Sequence, residues 1–266
     1  MKQVIVIISL LLLIFGCKND LKDQAANNKI GVNKLIADNL LEQIVNKPDS
    51  VGLRLQLVNA LDSLGEYKEA VAQMDSLTNK DSLNFGLWYR KGQLLESAKD
   101  TFRAINSFVQ AINIYPSPDG LLSLANLLAE KRSSDALKLC QQVRNQRPGK
   151  EYAAHCNFIS GVYYARTGHK LKAMQLFDNC ITDNYTYMDA YQEKGFIYYD
   201  QGKYKEALQV FQLAAKINNT YPDAYYWQAK CYEALNKKQE AIKNYQTSLL
   251  LDKGLKEASA ALKRLR

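Results

Sequence analysis

Proline is scarce in this chain, five residues in 266. Few helix breakers permit long helical stretches, and their places agree: Pro48, Pro116, Pro148 and Pro222 fall between helical patterns, while Pro118 opens one. Essentially no β-sheet is expected. Histidine is scarcer still, with His155 and His169 on different elements and both read as surface residues. No nucleophile motif, phosphate loop or metal-ligand cluster is present, so no catalytic residue, metal or cofactor is expected and the chain is not read as an enzyme. Long apolar runs are missing too. The longest, Val4 to Phe15, has twelve residues broken by Ser9. At 1.5 Å per residue it reaches about 18 Å, short of a hydrocarbon core of roughly 30 Å, so it is not a permanent spanning helix.

What is present begins at that run. Lys2, the apolar stretch and Gly16-Cys17 make a signal peptide over 1–16. Ile14-Phe15-Gly16-Cys17 resembles the lipobox of bacterial lipoproteins, although Phe15 is bulkier than the small residue usual there. The resemblance implies that Cys17 is lipidated, and that 17–30 is a polar tether holding the rest near a membrane of the bacterial envelope, the outer membrane being the expected one. A flexible tether of this length spans on the order of 20 Å.

Four other cysteines, Cys140, Cys156, Cys180 and Cys231, lack metal-like spacing and read as small buried apolar residues. A Cys140–Cys156 bridge between adjacent helices is the one pairing to test. Formal charge is +8, and 230–266 holds nine Lys or Arg against four Asp or Glu. Such an end suits anionic lipid or an acidic partner, or simply solubilises the last helix; nucleic acid is not expected for an exported protein.

A period organises the remainder. Ala70/Met74, Ala104/Phe108, Ala136/Cys140, Ala173/Phe177, Ala207/Phe211 and Ala241/Tyr245 repeat with alanines 34, 32, 37, 34 and 34 residues apart. Eleven or twelve residues before each alanine stands Val58, Gly92, Ala125, Gly161, Gly195 or Ala229. A period near 34 with this internal spacing marks stacked helical hairpins, which present binding surfaces rather than catalytic pockets. Gly65, Gly168 and Gly202, with Asn236 in place of a glycine, fall where hairpin turns need positive φ.

These residues resemble the tetratricopeptide repeat. Repeat two carries Trp88, Gly92, Ala104, Phe108, Ala111 and Pro116, and repeat five carries Tyr191, Gly195, Tyr198, Gly202, Tyr204, Ala207, Phe211 and Ala214. The resemblance implies an all-α fold, a right-handed superhelix of about six hairpins. Their spans are 51–84, 85–117, 118–150, 154–187, 188–221 and 222–255, between a lone N-terminal helix at 31–47 and a capping helix at 256–266. From alanine to the next small residue the offset is 22, 21, 25, 22 and 22, so the surplus falls in the basic turn Arg144 to Lys150. A discontinuity between two trios of repeats is expected there.

Register places first helices on a concave groove. Its candidate partner-binding residues are Asn59, Tyr89, Gln93, Asn126, Phe158, Arg166, Gln192, Phe196, Tyr199, Tyr226 and Lys230. Phe158, Phe196, Tyr199 and Tyr226 are expected to form one aromatic strip. Rings interleaved with amides suit an extended peptide or a helix of a partner. The plainer reading is that 17 tyrosines put rings everywhere in such repeats. The carboxylate-gripping positions of some tetratricopeptide domains hold Leu55, Asn59, Arg90, Asp119 and Ser123, of which only Asn59 fits. The expected function is a membrane-anchored, non-catalytic scaffold or adaptor that binds envelope proteins, with no small-molecule substrate. Alternatives are an assembly factor, similar to pilot lipoproteins, for a pilus or secretion complex, and an adaptor docking cell-wall hydrolases.

Overall fold

A computed structural model describes residues 31–146 and 149–265. Cys17, the signal peptide and the tether lie outside the described residues. Within them the chain forms helices and no strand. Helix α1 spans 31–46. After it come α2 (Val51–Leu64), α3 (Tyr67–Lys80), α4 (Phe85–Ser97), α5 (Thr101–Ile114), α6 (Pro118–Glu130), α7 (Asp135–Asn145) and α8 (Lys150–Arg166). The chain continues through α9 (Lys170–Asp183), α10 (Met188–Asp200), α11 (Tyr204–Ile217), α12 (Pro222–Ala234), α13 (Lys238–Leu251) and α14 (Lys256–Leu265). None of these helices is long and apolar enough to cross a membrane.

Helices α2, α4, α5 and α6 begin where short polar side chains hold free backbone N–H groups. Ser50, Asn84, Asp100 and Ser117 each accept a hydrogen bond from the residue three places on, at 3.3, 3.3, 3.1 and 3.0 Å. The six hairpin turns share one solution at the other end. At each, a residue of positive φ donates its N–H back to a carbonyl of the last helical turn: Gly65, Lys99, Arg132, Gly168, Gly202 and Asn236. Lys99 and Arg132 take this left-handed conformation without the tolerance of glycine or asparagine, at φ of 63° and 60°. Between hairpins, Asn184 and Asn218 make identical turns, each side-chain oxygen accepting the N–H and hydroxyl of the threonine two places on at 3.1 and 2.8 Å. Their Asn-x-Thr triplets are turn chemistry.

The small-residue slot explains the period. A Cβ on Gly92 would stand 2.6 Å from the Phe108 ring, and one on Gly161 2.6 Å from Phe177. Gly195 meets Phe211 in the same way. These phenylalanines are fully buried, so each glycine exists to let a ring from the second helix pack directly against the first. Where the slot is Ala125 or Ala229, the opposing position holds Cys140 or Tyr245, both buried.

The described residues divide into two compact units, to Pro116 and from Ser117. In the first, α2–α3 and α4–α5 are hairpins and α3 packs on α4. In the second, hairpins α6–α7, α8–α9, α10–α11 and α12–α13 stack in order, and α14 closes on α13. The expected discontinuity at 144–150 is not where the units part. Both α6 and α7 pack on α8. The surplus residues lengthen α8 to 17 residues, against 13 in α10 and α12, adding about one turn at its start.

Candidate functional site

The predicted groove residues in the first unit lie on α2 and α4. Asn59 is exposed and accepts from Arg90 at 3.3 Å, while Arg90 pairs with Asp62 at 2.7 Å. Asn59 also lines a groove of about 620 Å3 between α1 and α2, with Leu35, Ile36, Leu40 and Gln56 among its walls. Tyr89 is half-buried, stacked on Phe85 at 5.5 Å and leaning on Phe108 at 5.7 Å. Gln93 is half-buried on the same helix.

In the second unit, Asn126 is half-buried on α6, and Arg166 ends α8. Arg166 is not a free cation. It donates to Glu130 of α6 at 2.8 and 2.9 Å and to Glu193 of α10 at 2.8 Å twice. The Glu193 hydrogen bonds, with those of Glu130, push its guanidinium up despite burial. Three consecutive first helices are thereby pinned side by side, and the arginine expected to meet a partner is spent inside the protein.

The aromatic strip divides. Phe158 packs at 4.9 Å on Tyr187 and 5.9 Å on Phe177. Tyr187 also meets His155, its hydroxyl 2.9 Å from Nδ1, so His155 is half-buried rather than a surface residue. Phe196, Tyr199 and Tyr226 instead converge on Trp227 at 4.5, 5.5 and 5.5 Å, with Phe211 behind it at 5.9 Å. Burial pushes the Tyr199 and Tyr226 phenols up. Gln192 accepts from the Tyr221 hydroxyl. Lys230 is half-buried two turns from Pro222 on α12 and helps hold Glu233 ionised.

Trp227, Tyr187, Tyr221, Glu130 and Glu193 were not foreseen as part of this surface. Tyr187 and Tyr221 are 34 residues apart and each follows an Asn-x-Thr turn, a signal the sequence does carry. Trp227 gives no such signal. Tyr225, Tyr226 and Trp227 are consecutive, and at about 100° per residue only packing decides which ring enters the cluster.

Half-buried rings and amides on neighbouring first helices, set against buried faces of the second helices, define a helical-repeat protein with a candidate interaction surface. Among the described residues no group of three or more His, Cys, Asp or Glu is placed to hold a metal ion. Family comparison matches residues 85–118 and 222–255 to the tetratricopeptide repeat and 195–236 to the TPR repeat. Tetratricopeptide repeats therefore occupy 85–118 and 195–255 of this chain.

Solved structures share the fold. A tetratricopeptide repeat protein from Parabacteroides merdae is 14% identical, with 91% of this chain and 99% of that one covered at a TM-score of 0.71. PilW, a widely conserved type IV pilus biogenesis factor, is 17% identical, with 79% and 97% covered at 0.64. A thermophilic TPR protein of Thermus thermophilus is 16% identical, with 68% and 98% covered at 0.54. At these identities the likeness is one of fold. No curated protein matches the sequence.

Proposed function

We propose that this protein is a lipid-anchored adaptor of a bacterial envelope, tethered through Cys17 and holding a peptide or helix of an envelope protein against its first helices. The fold supports the broader statement, a non-catalytic protein–protein interaction scaffold. The observation that carries the binding surface is the run of half-buried rings on α8, α10 and α12: Phe158, Phe196, Tyr199, Tyr226 and Trp227. Rings held rigid by a packed layer lose little freedom on binding, which favours them as anchors. The anchor rests on the Gly16-Cys17 junction and the polar residues after it.

The test uses the full chain in its native host. Photo-cross-linkers at Asn126, Gln192 and Lys230 should capture one shared envelope protein, while those at Lys205 and Lys243 on second helices should not. Equal capture from both sets overturns the surface assignment. Cys17→Ser should abolish lipid labelling and release the protein to the soluble fraction, and a variant that stays membrane-bound in high salt overturns the anchor. An assembly role for a pilus is the sharper variant of this reading, favoured by the fold shared with the pilus biogenesis factor. Capture of a pilus or secretion component supports it, and capture of a cell-wall hydrolase replaces it.

A further inference from the structure

Cys140 and Cys156 are free thiols at 2% and 0% exposure, one on α7 and one on α8. The two helices pack on each other, and the Cys156 thiol donates to the Cys140 carbonyl at 3.5 Å. Their surroundings are unequal. The neighbouring Cys156 thiol, and then burial, push Cys140 up, whereas the hydrogen bond from Cys140 draws Cys156 down against its own burial, with Arg144 assisting. A cavity of about 440 Å3 reaches Cys156 and not Cys140. Among the described residues its lining includes Arg144 and Lys150 and no acidic residue. A thiolate forms more readily beside such cations, and an anionic reagent is drawn toward them. Cys180 and Cys231 differ: burial is the first cause that pushes each to about 12.

We propose that Cys140 and Cys156 are an oxidation site, in which Cys156 exchanges with a small anionic disulfide entering this cavity and Cys140 closes an internal disulfide. Oxidised glutathione represents that chemical class. Cys156 gives up its proton and its sulfur attacks one sulfur of glutathione disulfide, breaking that bond and releasing one glutathione, which takes the proton. Cys140 then loses its proton, attacks the Cys156 sulfur of the mixed disulfide and expels the second glutathione as a thiol. Two protein thiols are oxidised and one disulfide is reduced to two thiols. The new bond ties α7 to α8 covalently, restricting the unfolded chain more than the folded one.

The experiment treats the folded full chain with oxidised glutathione, blocks remaining thiols and maps peptides by mass spectrometry. The expected product links the Cys140 and Cys156 peptides, retains no glutathione and leaves Cys180 and Cys231 reduced. Cys140→Ala should trap glutathione on Cys156, and Cys156→Ala should leave Cys140 unmodified. The neutral disulfide of 2-mercaptoethanol, at equal concentration, should react more slowly. The pair is overturned if the wild type yields no linked peptide, or if Cys180 and Cys231 are consumed as fast. The order of attack is overturned if Cys156→Ala takes up glutathione at Cys140. Equal rates for the two reagents overturn the anionic preference. Should either alanine variant fail to fold, the wild-type peptide map decides the pair by itself.

Discussion

Single residues hold two contacts on which the stack depends. Gly195 faces the Phe211 ring with no room for a methyl group, and Phe211 is buried. Gly195→Ala should therefore cost about 1–3 kcal/mol by overpacking. Chemical denaturation measures the loss, and hydrogen exchange should place it in 188–221 and the adjoining helices. Unchanged protection there would refute the assigned contact. Arg166 is the second case. Glu193 keeps only 13% of its side chain exposed, while Arg166 keeps 32% and Glu130 48%. Arg166→Met leaves two carboxylates facing each other without their cation. After allowing for solvent screening of the exposed members, the expected cost is about 1–2 kcal/mol. A urea titration of the variant against wild type checks it, and Glu130→Gln added to Arg166→Met should restore part of the loss.

At the scale of the element, α14 shows how a terminal helix is kept in place. Ala258, Ala261 and Leu262 bury one face against Ala241 and Tyr245, and Arg264 pairs with Glu233 of α12 at 2.6 Å. Burial alone raises the Glu233 carboxyl, but the Tyr245 hydroxyl at 2.5 Å, Arg264 and Lys230 together bring it below its ordinary value of 4.5. A carboxyl depressed in the folded protein contributes stability that is complete above its unfolded pKa and is lost as pH falls through the folded one. Amide exchange in α14 should thus accelerate, relative to the rest of the second unit, as pH drops below 4.5. Glu233→Gln should show the looser α14 already at neutral pH and lack the acid step. An acid profile identical to wild type would exclude this linkage.

Over the whole molecule, stability in a repeat array is a sum of local units and neighbour contacts. Trp227 sits where two hairpins of the second unit meet, touching Phe196 and Tyr199 of α10 and Phe211 of α11. Trp227→Ala should cost about 2–4 kcal/mol, somewhat under the range for a fully buried tryptophan because this ring is half-buried. Protection against hydrogen exchange should fall across 188–251 and stay unchanged in 51–116. Phe196→Ala with Tyr199→Ala should also destabilise the protein, since both rings support Trp227, so loss of partner binding in that variant is not evidence of direct contact. Uniform loss of protection along the chain would mean that the array unfolds as one cooperative body.

The all-helical hairpin stack was legible in the sequence by itself because its signals are local and repeated: a small residue and a bulky apolar one at fixed spacing, and a glycine or asparagine at four of the six turns. Lys99 and Arg132 fill the other two turns without any such signal. The Gly92–Phe108 and Gly161–Phe177 contacts join residues 16 apart on the two helices of one hairpin, so the period placed both slots and the turn between the helices brought them together. Tertiary structure decided what the surface residues do. Arg166 became a brace because Glu130, 36 residues before it, and Glu193, 27 after it, are carried to it by separate helices. The three extra residues before Cys156 went into α8 because continuing a helix adds a hydrogen bond for each residue fixed, and a longer loop adds none. The rings fell into two clusters, around Tyr187 and around Trp227, because consecutive aromatics on one helix point in different directions and only the neighbouring hairpin selects among them.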